Sequence, residues 1–369
     1  MRCQSDCSKP ISAVRKLILS YNKEGTETGP RPNREVRKVD SALVNIARTA
    51  VITLAILSLT MAAAGQTSSR KQWTPPRTPD GRPDLRGIWS NASIIPLERP
   101  KDLEGKRTFT EQEYAEYEKK VFKRSDRDRP GQTGVGTYNG FWWDQGTKLA
   151  PNRNTSLIVD PPDGRIPALT AAASKKMQED LAYAREHPAD GPEDRPLIER
   201  CLVFPTTGLP MLPSFFNGTP YGPLTTNYQI AQTRDYLEIF VEHNHETRII
   251  PLDGRPHLPA TVRLWFGDPR GHWDGDTLVV DTTNFTGKTK FKGADENLHL
   301  TERFSRIGPE TLLYRFTIDD PTAFTAPWTG EYPLIASPDR IYEYACHEGN
   351  YGLAGVLAGA RASEKKARQ

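Results

Sequence analysis

From about Asn227 onward the chain alternates apolar and polar residues with a period of two. Tyr236-LEIFVEH places Leu237, Ile239 and Val241 on one face, the mark of a half-buried strand. Thr247-RIIPL, Thr277-LVVDTTNF, Leu298-HLTERFSRI, Thr311-LLYRFTID and Arg340-IYEYAC repeat the pattern. Turn signals at Asp253-Gly254, Asp274-Gly275 and Gly308-Pro309 separate them. Short strands in series with tight turns predict a mainly β fold: an antiparallel meander closed as a barrel or packed as a sandwich. Closure is favoured because it removes exposed strand edges.

The preceding half is less regular. Asp84-LRGIWSNA predicts a first strand, and Asn154-TSLIVD a short one stopped by the turn Pro161-PDGR. Thr108-FTEQEYAEYEKKVFKR predicts an exposed helix, with Thr110 as N-cap and Glu113 completing a capping box. Leu169-TAAASKKMQEDLAYAREH predicts a second helix ended by Pro188. The expected organisation is a polar linker over 65–83 and an irregular, helix-containing cap with the first strand over 84–224. A barrel-like region over 225–361 and a charged tail over 362–369 follow.

A different pattern lies nearer the start. Arg48 precedes an uncharged apolar run, Thr49-AVITLAILSLTMAAA-Gly65, which ends in small residues. Charge, short apolar core and small residues describe a secretory signal peptide over 44–64, cut near Ala64. Residues 1–43 then read as untranslated or as an extended leader, with Val44 or Leu43 as an alternative start. A retained signal anchor is the other reading, at the low edge of spanning length. Cleavage predicts a periplasmic or secreted protein with no stable membrane insertion.

Export changes the charge picture. The 369-residue chain has 49 Lys and Arg against 46 Asp and Glu. Residues 1–64 hold ten of the former and five of the latter, leaving 39 against 41. The basic excess belongs to the leader and gives no argument for nucleic acid. Of four cysteines, Cys201 and Cys346 remain, and in an oxidising compartment they are expected to pair. The 31 prolines fit short strands and many turns, and a monomer is expected.

Pro83-DLRGIW, Asp253-GRPHLP, Gly271-HWDGDTLVVDTTNF, His299-LTERF and Tyr342-EYACHEGNYG together resemble a family of exported, uncharacterised proteins from environmental bacteria. The resemblance covers roughly residues 83–361. It implies export and one folded unit, and brings no activity or catalytic residue. Gly87-Ile88-Trp89 also resembles the Gly-x-Trp of a first lipocalin strand, in which the Trp plugs the closed end of the barrel.

Candidate chemistry is dispersed. Glu302 shares strand parity with Leu298, Leu300 and Phe304, so its carboxylate faces the interior, where it needs a partner or has a task. Arg248, Arg303 and Arg315 are the cations at hand. Asp281 stands mid-strand after Val279 and Val280. His243 and His245 share a strand face, but no third ligand has a telling spacing, so no metal or other cofactor is expected. Tyr138, Phe141, Trp142, Trp143, Phe215 and Phe216 form aromatic loops suited to a ligand site, with Arg248 as a polar contact. No G-x-S-x-G elbow supports a hydrolase triad. The expected function is therefore binding of a small or amphiphilic ligand in a barrel mouth. The alternative is a periplasmic hydrolase or lyase using Glu302, His245 and Asp281, with or without the assistance of a metal.

Overall fold

A computed structural model describes residues 73–125, 152–203, 209–212, 227–243 and 246–369. Ten strands form one antiparallel sheet: β1 (Gly87–Ser90), β2 (Ile158–Asp160), β3 (Asn227–Gln232), β4 (Tyr236–Val241), β5 (Thr247–Pro251), β6 (Asp268–Asp274), β7 (Thr277–Thr283), β8 (His299–Gly308), β9 (Thr311–Asp319) and β10 (Trp328–Ala336). Its order is β5-β4-β3-β1-β10-β9-β8-β7-β6, with β2 paired to β10. The two end strands, β5 and β6, come side by side, so the sheet nearly closes into the expected barrel.

Alternation sets the two faces. Leu278, Val280, Leu300, Phe304, Leu312, Tyr314, Phe316 and Ile318 are buried inside, while the residues between them are mostly half-exposed on the outer face. The β6–β7 hairpin closes through Asp274 and Thr277, with Gly275 at φ +59°, where a side chain would be strained.

Three helices are described: α1 (Glu111–Ser125), α2 (Ala171–Glu186) and α3 (Tyr351–Ala367). The α1 capping box forms as expected: Glu113 N–H donates to Thr110 Oγ1 at 3.3 Å, and Thr110 N–H to Glu113 Oε2 at 2.9 Å. Thr170 caps α2 through Ala173 N–H. No described helix is long and apolar enough to cross a membrane.

The structure departs from expectation in four places. The sheet does not respect a division near residue 225, because β1 fills the place between β3 and β10 and carries the buried Trp89 into the core. Arg340–Cys346 forms no strand, since β10 already has β1 and β9 as neighbours. β10 itself carries no alternating signal. Its Gly330 and Pro333 read as breakers, yet Gly330 makes room for the Phe316 ring: an added Cβ would stand 2.2 Å from its Cζ. The tail expected at 362–369 largely continues α3, capped at its start by Asn350.

The seam between β5 and β6 is open at one end. At Gly271 the strands meet, where Ile250 and Leu252 side chains lie against the glycine backbone. Each of the two strands carries a proline, Pro251 and Pro269, which offers no N–H to an added strand.

Candidate functional site

Glu302 lies inside the barrel with no solvent exposure. Arg248 from β5 reaches across to it with two bonds, Nη2 to Oε2 at 2.6 Å and Nη1 to Oε1 at 3.2 Å. Tyr314 O–H donates to Glu302 Oε1 at 2.8 Å, and Met211 N–H donates to the Tyr314 oxygen at 3.2 Å. Close by, Asn91 Nδ2 donates to Tyr228 Oη and to the carbonyl of Leu212. Burial, reinforced by the Glu302 charge, holds the Tyr314 hydroxyl well above its ordinary range. The strand parity is right, and of the three candidate cations Arg248 is the partner. Arg303 faces outward to Asp274, and Arg315 to Glu331. Arg248 was expected as a ligand contact; its guanidinium pairs with Glu302, and its Nε has no hydrogen-bond partner among the described residues.

Asp281 takes the opposite face of the sheet. Val280 pairs with Glu302 across β7 and β8, so Asp281 points outward beside Thr301. Two imidazoles, those of His257 and His299, approach it. His257 Nε2 stands 2.9 Å from Oδ1, and His299 Nε2 hydrogen-bonds Oδ2. The other ring nitrogen of His257 faces Asp268 Oδ2 at 3.2 Å. Asp268 is buried and also takes Leu258 N–H at 2.7 Å and Arg270 Nη1 at 2.6 Å. The result is a continuous array, Asp268–His257–Asp281–His299. The hydrogen bond to Asp281 raises the His299 pKa above its ordinary value, and His299 in turn lowers that of Asp281. Glu302 and Asp281 therefore do not converge.

His245 lies outside the described residues, as do Tyr138, Phe141, Trp142, Trp143, Phe215 and Phe216. His243 is buried against Tyr344, and burial pushes its imidazole down to about 4, so it is neutral at pH 7. Among the described residues, no three His, Cys, Asp or Glu side chains are arranged to hold a metal ion. Cys201 and Cys346 form the expected disulfide, with Cα atoms 5.7 Å apart.

The open end of the β5–β6 seam forms a cleft of about 500 Å³. One wall is the loop between the strands, with Leu258, Leu264, Trp265 and Phe266; the strands contribute Thr247, Ile249, Pro269 and Arg270. Leu258, Leu264, Trp265 and Ile249 are unusually exposed for large apolar residues. The cations at the cleft are Arg248, Arg255 and Arg270; the acids are Glu246 and Asp268. Arg255 is shared with Asp253 and the Tyr236 hydroxyl. Asp268 belongs to both features, forming part of the cleft wall and the inner end of the array.

Sequence reasoning did not bring His257 or His299 to Asp281. The signal for His299 is diagonal: it stands two residues from Thr301, the cross-strand partner of Asp281, on the same face. Reading it requires the β7–β8 register in advance. No protein-family model, characterised protein or solved structure matches the chain.

Proposed function

We propose that the mature, exported protein binds a small amphiphilic ligand of acidic character in the cleft at the β5–β6 seam. The observation that carries this reading is the cleft's lining: exposed Leu258, Leu264 and Trp265 for an apolar body, beside the guanidiniums of Arg255 and Arg270, which an anionic head would share with their partners Asp253 and Asp268. The prolines on both strands argue against a strand-like peptide as occupant, because β-addition needs main-chain donors. The site lies at the side of the barrel, where the sheet fails to close.

The test is titration of the mature protein with 1-anilinonaphthalene-8-sulfonate, an amphiphilic anion, with decanoate as competitor. Saturable fluorescence, displaced by decanoate and lost in Trp265→Ala with Leu264→Ala, is the expected result. Equal binding by that variant would remove the cleft from consideration.

A hydrolytic role for Asp281 is the second reading, favoured by the two imidazoles bonded to its carboxylate. Glu302 takes no part in it, being sealed inside the barrel. Turnover of p-nitrophenyl esters abolished in Asp281→Asn would support this reading; no turnover by the wild type would end it.

A further inference from the structure

Resting on the binding reading above, we propose that ligand retention in the seam cleft is controlled by protonation of His299, acting through the hydrogen-bonded array Asp268–His257–Asp281–His299. The geometry links the two. The array ties the loop that forms the apolar wall to the outer face of the barrel: His257 belongs to the loop, Asp268 to β6, Asp281 to β7 and His299 to β8. Asp268 also holds the backbone N–H of Leu258, a wall residue, and faces the cleft. Two carboxylates thus stand on either side of one imidazole, at the root of a wall that must stay in place to hold a ligand.

The charged surroundings are few enough to account for. From β6, Arg270 binds Asp268, while His272 stands two residues along the same face. From β9, Asp319 lies opposite His299 in the register and adds to the negative field on it. Arg303 of β8 is occupied by Asp274. At the far end of the cleft, Glu246 is partly desolvated, which raises its pKa above the ordinary carboxylate range. On the far side of the loop, Asn284 Nδ2 holds the Leu258 carbonyl and Arg263 donates to the Glu296 carbonyl. These bonds are independent of the histidines, so loss of the array loosens the wall without detaching it.

The sign follows from the pair. His299 gains a partner on folding, so its stabilising contribution is present below the ordinary imidazole value of about 6.5 and is lost as pH rises through its raised folded value. Deprotonation of His299 leaves Asp281 with less positive charge beside it. The wall loosens, and the rim of the cleft becomes more negative. Both effects act against an anionic ligand in the same direction: held at mildly acidic pH, released toward alkaline pH. Glu246, its carboxyl held above the ordinary range by burial, acts in the same sense.

The sulfonate of 1-anilinonaphthalene-8-sulfonate keeps its charge throughout, so its titration at pH 6 and pH 8.5 reports on the protein. Wild type should bind about three- to fivefold more tightly at the lower pH, the scale of one partly screened charge near a site. His299→Gln and Asp281→Asn should flatten that difference while keeping the circular-dichroism spectrum, since both side chains are partly exposed. An unaltered pH difference in both variants would overturn the proposal. Hydrogen exchange of amides 257–266, corrected for its intrinsic pH dependence and run without probe, separates this from failure of the cleft reading. If the probe does not bind at any pH, protection that falls with pH in wild type but not in His299→Gln still supports the gate; pH-independent protection rejects it.

Discussion

Inside the barrel, Arg248 and Glu302 are both removed from water and held by two mutual bonds and the Tyr314 hydroxyl. Their attraction offsets a desolvation cost of several kcal/mol for each ion, so the net benefit of the pair is small while the loss of one member is large. Glu302→Gln should therefore destabilise by about 3–5 kcal/mol, because it strands a buried cation. The double variant Arg248→Met with Glu302→Leu should recover most of that loss, read by urea denaturation of the three proteins. A wild-type-like midpoint for Glu302→Gln would mean the carboxylate contributes nothing to the core. The inward face of Glu302 was legible from strand parity, since alternation is a local property. Its choice of Arg248 over Arg303 or Arg315 was not, because β5 and β8 meet only through closure of the sheet.

At the scale of elements, local signals and tertiary context divide the outcome. The capping box of α1 is a pair of short-range hydrogen bonds, so that helix was readable from spacing, and α2 was readable from its stretch up to Pro188, while its Thr170 cap was not read. β10 was not, for its Gly and Pro are breakers in isolation and are accommodated by its neighbours. Gly330 fits because the Phe316 ring of β9 lies over its backbone. Gly330→Ala should cost about 1–3 kcal/mol through overpacking, measured by thermal or urea unfolding. Gly330→Ala combined with Phe316→Leu should cost less than the sum of the two single changes, as contacting residues do. Additive losses would place the strain elsewhere. α3 was hidden for another reason: Gly352, Gly355 and Gly359 lower its intrinsic propensity, and none of its residues is buried.

For the whole molecule, the disulfide links a segment before β3 to the approach of α3, across 145 residues of sequence. Asn350 reinforces the join by donating to the Glu199 carbonyl at 2.8 Å, and Arg361 by donating to the carbonyls of Ala189 and Asp190. Cys201→Ser with Cys346→Ser should lower stability by about 2–5 kcal/mol. Because α3 buries no side chain, its amides should lose exchange protection in that variant well before those of the barrel. Simultaneous loss would show the two to be one cooperative unit. The pairing was legible by counting cysteines. The outer-face array and the seam cleft were not, since both depend on where the barrel fails to close.

The place of β1 has a consequence for how the chain is made. β1, the first of the described strands in sequence, is flanked by β3 on one side and β10, the last strand in sequence, on the other. Until residue 336 has emerged, β1 and β9 each lack the neighbour that lies between them in the folded sheet, and each presents an open edge. Folding of the barrel is thus delayed to the end of synthesis, with long-range pairings that form slowly. A chain stopped before Trp328 should remain soluble only while bound to a chaperone, and should aggregate when released.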